Sequence, residues 1–215
     1  MKLEGMTWNF LGDSITEGVG TTADKNRYFE LIKEQYGLNE VNGYGISGTR
    51  LAKQIEKSSE PSFDIYFASR INSMKDADGV VVFGGTNDFG HGDAPIGSFS
   101  DRTPDTFYGA CHDLYTKLLQ KYPGKPVVVM TPLHRTEEND IRIKHGVHVD
   151  LASYVTIIKE VAAYYSIPVC DMFADPFAHP ANPESMEKLI PDGIHPNDAG
   201  HVCIADKLGR FLSLL

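Results

Sequence analysis

A chain of 215 residues with 41% hydrophobic and 23% charged residues is long enough to bury a core and too ordinary in composition to be disordered. Its formal charge of −9 opposes phosphate backbones and anionic lipid surfaces, which excludes nucleic acid as a partner and favours a neutral or cationic small molecule. The opening MKLEGMTWNFLG is too short and mixed for a leader or a membrane span, so one cytoplasmic domain over residues 1–215, with no integral membrane association, is expected.

In chain order, short apolar runs alternate with longer helical patterns, the signature of strand–helix–strand units around a parallel sheet. The first strand is expected over residues 7–11, followed by a helix over 28–36 and a second strand near 41–45. A mixed pattern over 63–74 reads as a further helix. Gly79 to Phe83 and Pro126 to Thr131 carry continuous β-branched and bulky runs, as central strands covered on both faces do. Between them a helix over 103–122 is expected, with Thr103 as cap, Pro104 at its first position and Pro123-Gly124 at its end. A helix over 150–165, a last strand over 167–171 and a closing helix after Asn197-Asp198 complete an α/β doubly wound sheet of about five parallel strands. Residues 89–102, 133–149 and 172–191 read as irregular. Each follows a predicted strand, so these loops gather at the carboxyl edge, where open α/β sheets bind ligands. Cys111, Cys170 and Cys203 are odd in number, widely spaced and set in apolar patterns, which reads as three reduced thiols.

Four exit loops carry candidate chemistry. In LGDSITEG, Ser14 leaves the first strand, and a serine becomes a nucleophile only with a base in reach and a group orienting that base. Asp192-Gly193-Ile194-His195 offers both, with Asp192 holding one imidazole nitrogen and the other free for Ser14. Gly84-Gly85-Thr86-Asn87-Asp88 ends the strongest central strand, where Asn87 can donate to an oxyanion and Gly85 allows close approach of substrate. The glycine-rich loop from Gly43 to Thr49 supplies a further backbone donor, Gly48 or Gly45. Asp13 reads chiefly as a loop-shaping acid that borders the substrate. His91, His134, His145 and His148 lack metal-ligand spacing, so no metal or other cofactor is expected, while His134 or Arg135 is placed to touch substrate.

Gly12-Asp13-Ser14, Gly48, Gly85-Thr86-Asn87-Asp88 and Asp192-Gly193-Ile194-His195 together resemble the four ordered motifs of the SGNH, or GDSL-type, hydrolases. They span residues 12–195, and their joint order is far more specific than any one motif. Two departures stand: Thr16 breaks the G-x-S-x-G elbow of α/β-hydrolases, and Gly43 is an extra glycine after Asn42, which leaves the register of Gly48 against Gly45 open. The resemblance implies a flavodoxin-like three-layer α/β/α sandwich and a metal-independent serine esterase or acylhydrolase. It implies the same roles for Ser14, Asp192 and His195, with Ser14, Gly48 and Asn87 forming the oxyanion hole. Polar rim loops with no apolar lid favour a short, acetyl-type ester on a polar alcohol such as a sugar. The rival readings are a carbohydrate-binding protein on a retired hydrolase scaffold and a metal-dependent phosphoesterase using Asp13, Asn87, Asp88 and His195.

Overall fold

The computed structural model describes residues 1–175 and 177–215. Pro176, inside the segment expected to be irregular, lies outside the described residues. Five strands, β1 (Thr7–Gly12), β2 (Glu40–Gly45), β3 (Gly79–Phe83), β4 (Val127–Met130) and β7 (Val169–Cys170), form one parallel sheet in the order β2-β1-β3-β4-β7. A separate antiparallel hairpin pairs β5 (Arg142–Lys144) with β6 (Val147–Val149).

The core divides by strand periodicity. Val80 and Val82 point to one face of the sheet, where they meet Cys111, Leu114 and Leu118 of α4 (Phe107–Lys121) and Ile157 and Val161 of α5 (Leu151–Tyr164). Val81 and Phe83 point to the other, against Phe29 and Ile32 of α2 (Tyr28–Tyr36) and Ile204 and Leu208 of α7 (Asp198–Leu214). Two apolar faces and two helical layers make the three-layer α/β/α sandwich, and each fully buried large side chain contributes about 1.5–3 kcal/mol.

Four segments depart from the periodicity reading. The helix expected from Thr103 begins at Phe107, because Thr106 rather than Thr103 caps it, its hydroxyl accepting the Gly109 N–H at 3.1 Å. Residues 63–74 are not an α-helix but two 3₁₀ segments, Pro61–Asp64 and Phe67–Ser73, folded around the buried Arg70. The loops expected after β4 and β7 contain the β5–β6 hairpin and α6 (Pro183–Leu189). Among the described residues no helix is long and apolar enough to cross a membrane. The three cysteines are free, Cys111 and Cys170 buried and Cys203 half-buried.

After β1 the chain runs to β2 on one side and then crosses to β3 on the other, so the order reverses between β1 and β3. That switch point opens a crevice at the carboxyl edge. Gly12 is in register with Gly45 and Phe83, so the exits of β1, β2 and β3 start level with one another.

Candidate active site

Ser14 opens α1 (Ser14–Glu17), two residues beyond the end of β1. Asp13 shapes this exit as the helix cap, its carboxylate accepting the Ile15 N–H at 3.1 Å. The loop between α6 and α7 brings the opposite wall. There one Asp192 oxygen accepts the N–H groups of Ile194 at 2.9 Å and His195 at 2.7 Å, folding the turn. The other oxygen stands 2.7 Å from His195 Nδ1, and His195 Nε2 stands 3.0 Å from Ser14 Oγ. A hydroxyl, an imidazole and a carboxylate 181 and 3 positions apart in sequence are thus in line. Partial burial pushes the Asp192 carboxyl up, but the His195 N–H, the imidazole and the Ile194 N–H together hold it below its ordinary value. A charged carboxylate on Nδ1 leaves the Nε2 lone pair facing the hydroxyl, an arrangement able to take a proton from Ser14.

The β2 and β3 exits are locked to each other. Asn87, in α3 (Thr86–Gly90), donates through its side-chain amide to the Thr49 carbonyl at 3.0 Å, which leaves its second amide hydrogen uncommitted. Asp88 accepts the N–H groups of Leu51 and Ala52, each at 2.9 Å. From beneath, Arg70 donates to the carbonyls of Gly12 at 3.0 Å and Tyr44 at 2.8 Å, and to the Thr49 hydroxyl. Burial lowers its pKa to about 10, which still leaves it charged near neutrality. Gly48 adopts φ +72°, a left-handed conformation that favours glycine, and a Cβ there would strike the Phe63 ring.

A cavity of about 440 Å³ opens over these groups, lined by Ser14, Gly48, Asn87 and His195 together with Arg135 and Arg142. Its volume falls at the lower end of the ~300–1,000 Å³ usual for small-ligand sites. The structure brings together five predicted residues: Ser14, Gly48, Asn87 and His195 on the wall, and Asp192 behind the imidazole. Of the two glycines left open by the sequence, Gly45 packs against the α1 backbone and Gly48 lines the cavity.

Three residues expected to border substrate do not line it. Asp13 is buried beneath α1, where loss of water raises its pKa to about 6. Gly85 sits at φ +109° with its open side toward Ile158 and Pro132, so its freedom serves the turn into α3 rather than a ligand. His134 is turned away: its Nδ1 pairs with the Glu138 carboxylate at 2.9 Å and its ring lies 4.1 Å from Phe173. His179 joins that pair, the three offering ligand atoms within 4.8 Å of one another, away from the cavity lining.

Arg142, Phe63 and His91 line the cavity without having been singled out for it. For Arg142 a signal existed, because two alternating triplets around His145-Gly146 read as a hairpin that returns toward the sheet.

An α/β sheet with its switch-point crevice holding a serine, a histidine and an aspartate in line defines a hydrolase-type scaffold. Residues 10–202 match the GDSL-like lipase/acylhydrolase family, and the chain belongs to that family. A curated relative, GDSL lipase Rv0518 of Mycobacterium tuberculosis (strain ATCC 25618 / H37Rv), is 27% identical over 135 residues, 63% of this chain and 50% of its own length. The chain thus matches about half the length of that relative. A solved structure of a Lactobacillus plantarum protein superposes with a TM-score of 0.82 at 29% identity, covering 98% of this chain and 97% of that one. The acetyl xylan esterase AlAXEase superposes with a TM-score of 0.64 at 25% identity, covering 94% and 97% of the two chains.

Proposed function

We propose that this family member is a metal-independent serine esterase that cleaves a short-chain, acetyl-type ester of a polar alcohol through an acyl-enzyme. The observation that carries the reading is the line from Ser14 Oγ through His195 to Asp192, at 3.0 Å and 2.7 Å. As Ser14 Oγ bonds to the ester carbonyl carbon, its proton passes to His195 Nε2 and Asp192 stabilises the imidazolium. The N–H groups of Ser14 and Gly48 and the free amide hydrogen of Asn87 receive the negative charge on the carbonyl oxygen. The carbon–oxygen bond to the alcohol then breaks, and His195 returns the proton to the departing oxygen. Water repeats the sequence: its proton goes to His195, its oxygen bonds to the acyl carbon, and the acid leaves as Ser14 recovers its proton.

The short-acyl reading draws on the modest cavity and on the likeness to an acetyl xylan esterase. The experiment is fluorophosphonate labelling with mapping of the modified residue in wild type and His195→Ala, together with nitrophenyl esters of rising chain length. Labelling at Ser14 that weakens in His195→Ala, with acetyl the best acyl group, is expected. A folded sample that does not label, or near wild-type hydrolysis by Ser14→Ala, overturns the mechanism and favours a binding protein. A preference for long chains overturns only the acyl-size reading.

A further inference from the structure

Although the chain is acidic overall, the cavity beside Ser14 is not. Arg135 is buried, and no carboxylate among the described residues lies within salt-bridge distance of its guanidinium. Its Nη1 donates to the Thr86 carbonyl and hydroxyl, at 3.3 and 3.0 Å, and its Nε to the Thr136 carbonyl; Nη2 has no acceptor among the described residues. Arg142 stands next to it: the two guanidinium carbons lie 5.7 and 5.3 Å from the centroid of the same ring, Phe89. Arg142 Nε is buried without an acceptor among the described residues, while its Nη2 reaches Glu137 at 2.9 Å and Asp140 at 3.8 Å. Glu137 is the one carboxylate on the described wall. His91 adds a donor, since Arg50 Nη1 reaches its Nδ1 at 2.8 Å and burial lowers its pKa to about 4. The ring is therefore neutral with its proton on Nε2.

Two like charges lie over one ring with spare donors, and the carboxylates at salt-bridge distance, Glu137 and Asp140, reach Arg142 alone, so among the described residues Arg135 is left without an anionic partner. Resting on the esterase reading above, we infer that the ester cleaved at Ser14 carries a carboxylate seated by Arg135 and Arg142. The planar guanidinium fork suits a carboxylate better than a point cation would. Binding it also relieves the repulsion between the two arginines, a gain a neutral ester does not make. The local charge thus reverses the preference for neutral or cationic substrates drawn from the net charge of the chain.

The test uses two matched pairs of esters on the intact protein. The mono-nitrophenyl ester of succinate against nitrophenyl butyrate places the carboxylate on the acyl side, and O-acetylglycolate against O-acetylglycolamide places it on the alcohol side. In one pair the carboxylate member is expected to be favoured about 10- to 100-fold in kcat/KM, as charge-assisted hydrogen bonds provide. Arg135→Gln and Arg142→Gln are each expected to lower that ratio; if the first fails to fold, the second carries the test, because Arg142 is less buried. A ratio near one in both pairs, or a ratio that survives both substitutions, overturns the inference. If the neutral esters are still hydrolysed in that case, the esterase reading stands; if no member of either pair is hydrolysed, both fall.

Discussion

Asp192→Asn isolates the orienting role in the proposed mechanism. The asparagine oxygen can keep both backbone hydrogen bonds, from Ile194 and His195, so the turn and its stability should survive. The change falls on the other atom, where an amide nitrogen replaces the oxygen 2.7 Å from His195 Nδ1. An NH₂ group donates to Nδ1, which forces the imidazole proton onto Nε2, toward Ser14 Oγ. The ring then offers a donor where the serine needs an acceptor. With a buried aspartate such a swap costs about 10⁴ in kcat. Here the Asp192 side chain is 55% exposed, so water screens part of the charge lost and supports some of the correct tautomer. A fall of about 10²- to 10⁴-fold is expected, or ~3–5 kcal/mol in the barrier. Steady-state hydrolysis of nitrophenyl acetate measures it, and urea unfolding of the same sample checks the fold. A variant of unchanged stability that keeps kcat within about threefold of wild type would refute the reasoning.

Asn87→Ala removes one oxyanion donor and is expected to lower kcat about 10²- to 10³-fold, measured with the same ester. Asp13 and Asp88 are both buried with pKa values raised to about 6, yet their amides should behave oppositely. Burial makes Asp13 costly to ionise in the folded state, so its contribution to stability declines as pH rises from about 4 to about 6. Above that window the cost is complete, at most ~3 kcal/mol. Asp13→Asn keeps the oxygen that accepts the Ile15 N–H, and should flatten the pH dependence of urea midpoints and raise the midpoint at pH 8. Asp88→Asn turns an NH₂ group toward the Leu51 or Ala52 N–H, because both carboxylate oxygens are engaged. It should lower stability by ~1–3 kcal/mol in the same assay. Chelator should leave ester hydrolysis unchanged, since the His134–Glu138–His179 group lies outside the cavity lining; loss of activity that zinc restores would return the metal-dependent reading.

The strands and the Asp192–His195 pair were legible because their signals are local. Val80–Phe83 and Val127–Met130 are apolar at every position, which only a strand covered on both faces requires, and Asp192 lies three residues from the histidine it contacts. The misread segments are those whose shape a distant partner decides. Residues 67–73 wind as a 3₁₀ segment around Arg70, whose bonds reach carbonyls 58 and 26 positions away. Thr103-Pro104 and Thr106 present equal capping chemistry; Thr106 prevails where Asp101 receives its hydroxyl at 2.8 Å. His134 and Arg135 are adjacent in sequence, and nothing local says that one turns to Glu138 while the other turns into the cavity.

The same distinction governs the charge of the site. Net charge sums over the whole surface and controls long-range attraction, whereas substrate selection depends on the few groups within hydrogen-bonding reach. Arg135 comes from the exit of β4 and Arg142 from the first strand of the hairpin, and both lie over Phe89, which α3 carries at the exit of β3. Two arginines from one stretch of chain thus meet over a ring supplied by a different strand exit. The carboxylates nearest the cavity are committed: Asp192 to His195, Asp88 to two backbone amides, Glu137 to Arg142. An acidic chain can therefore present a cationic cavity, and the sign of that cavity follows from the fold rather than from the count of residues.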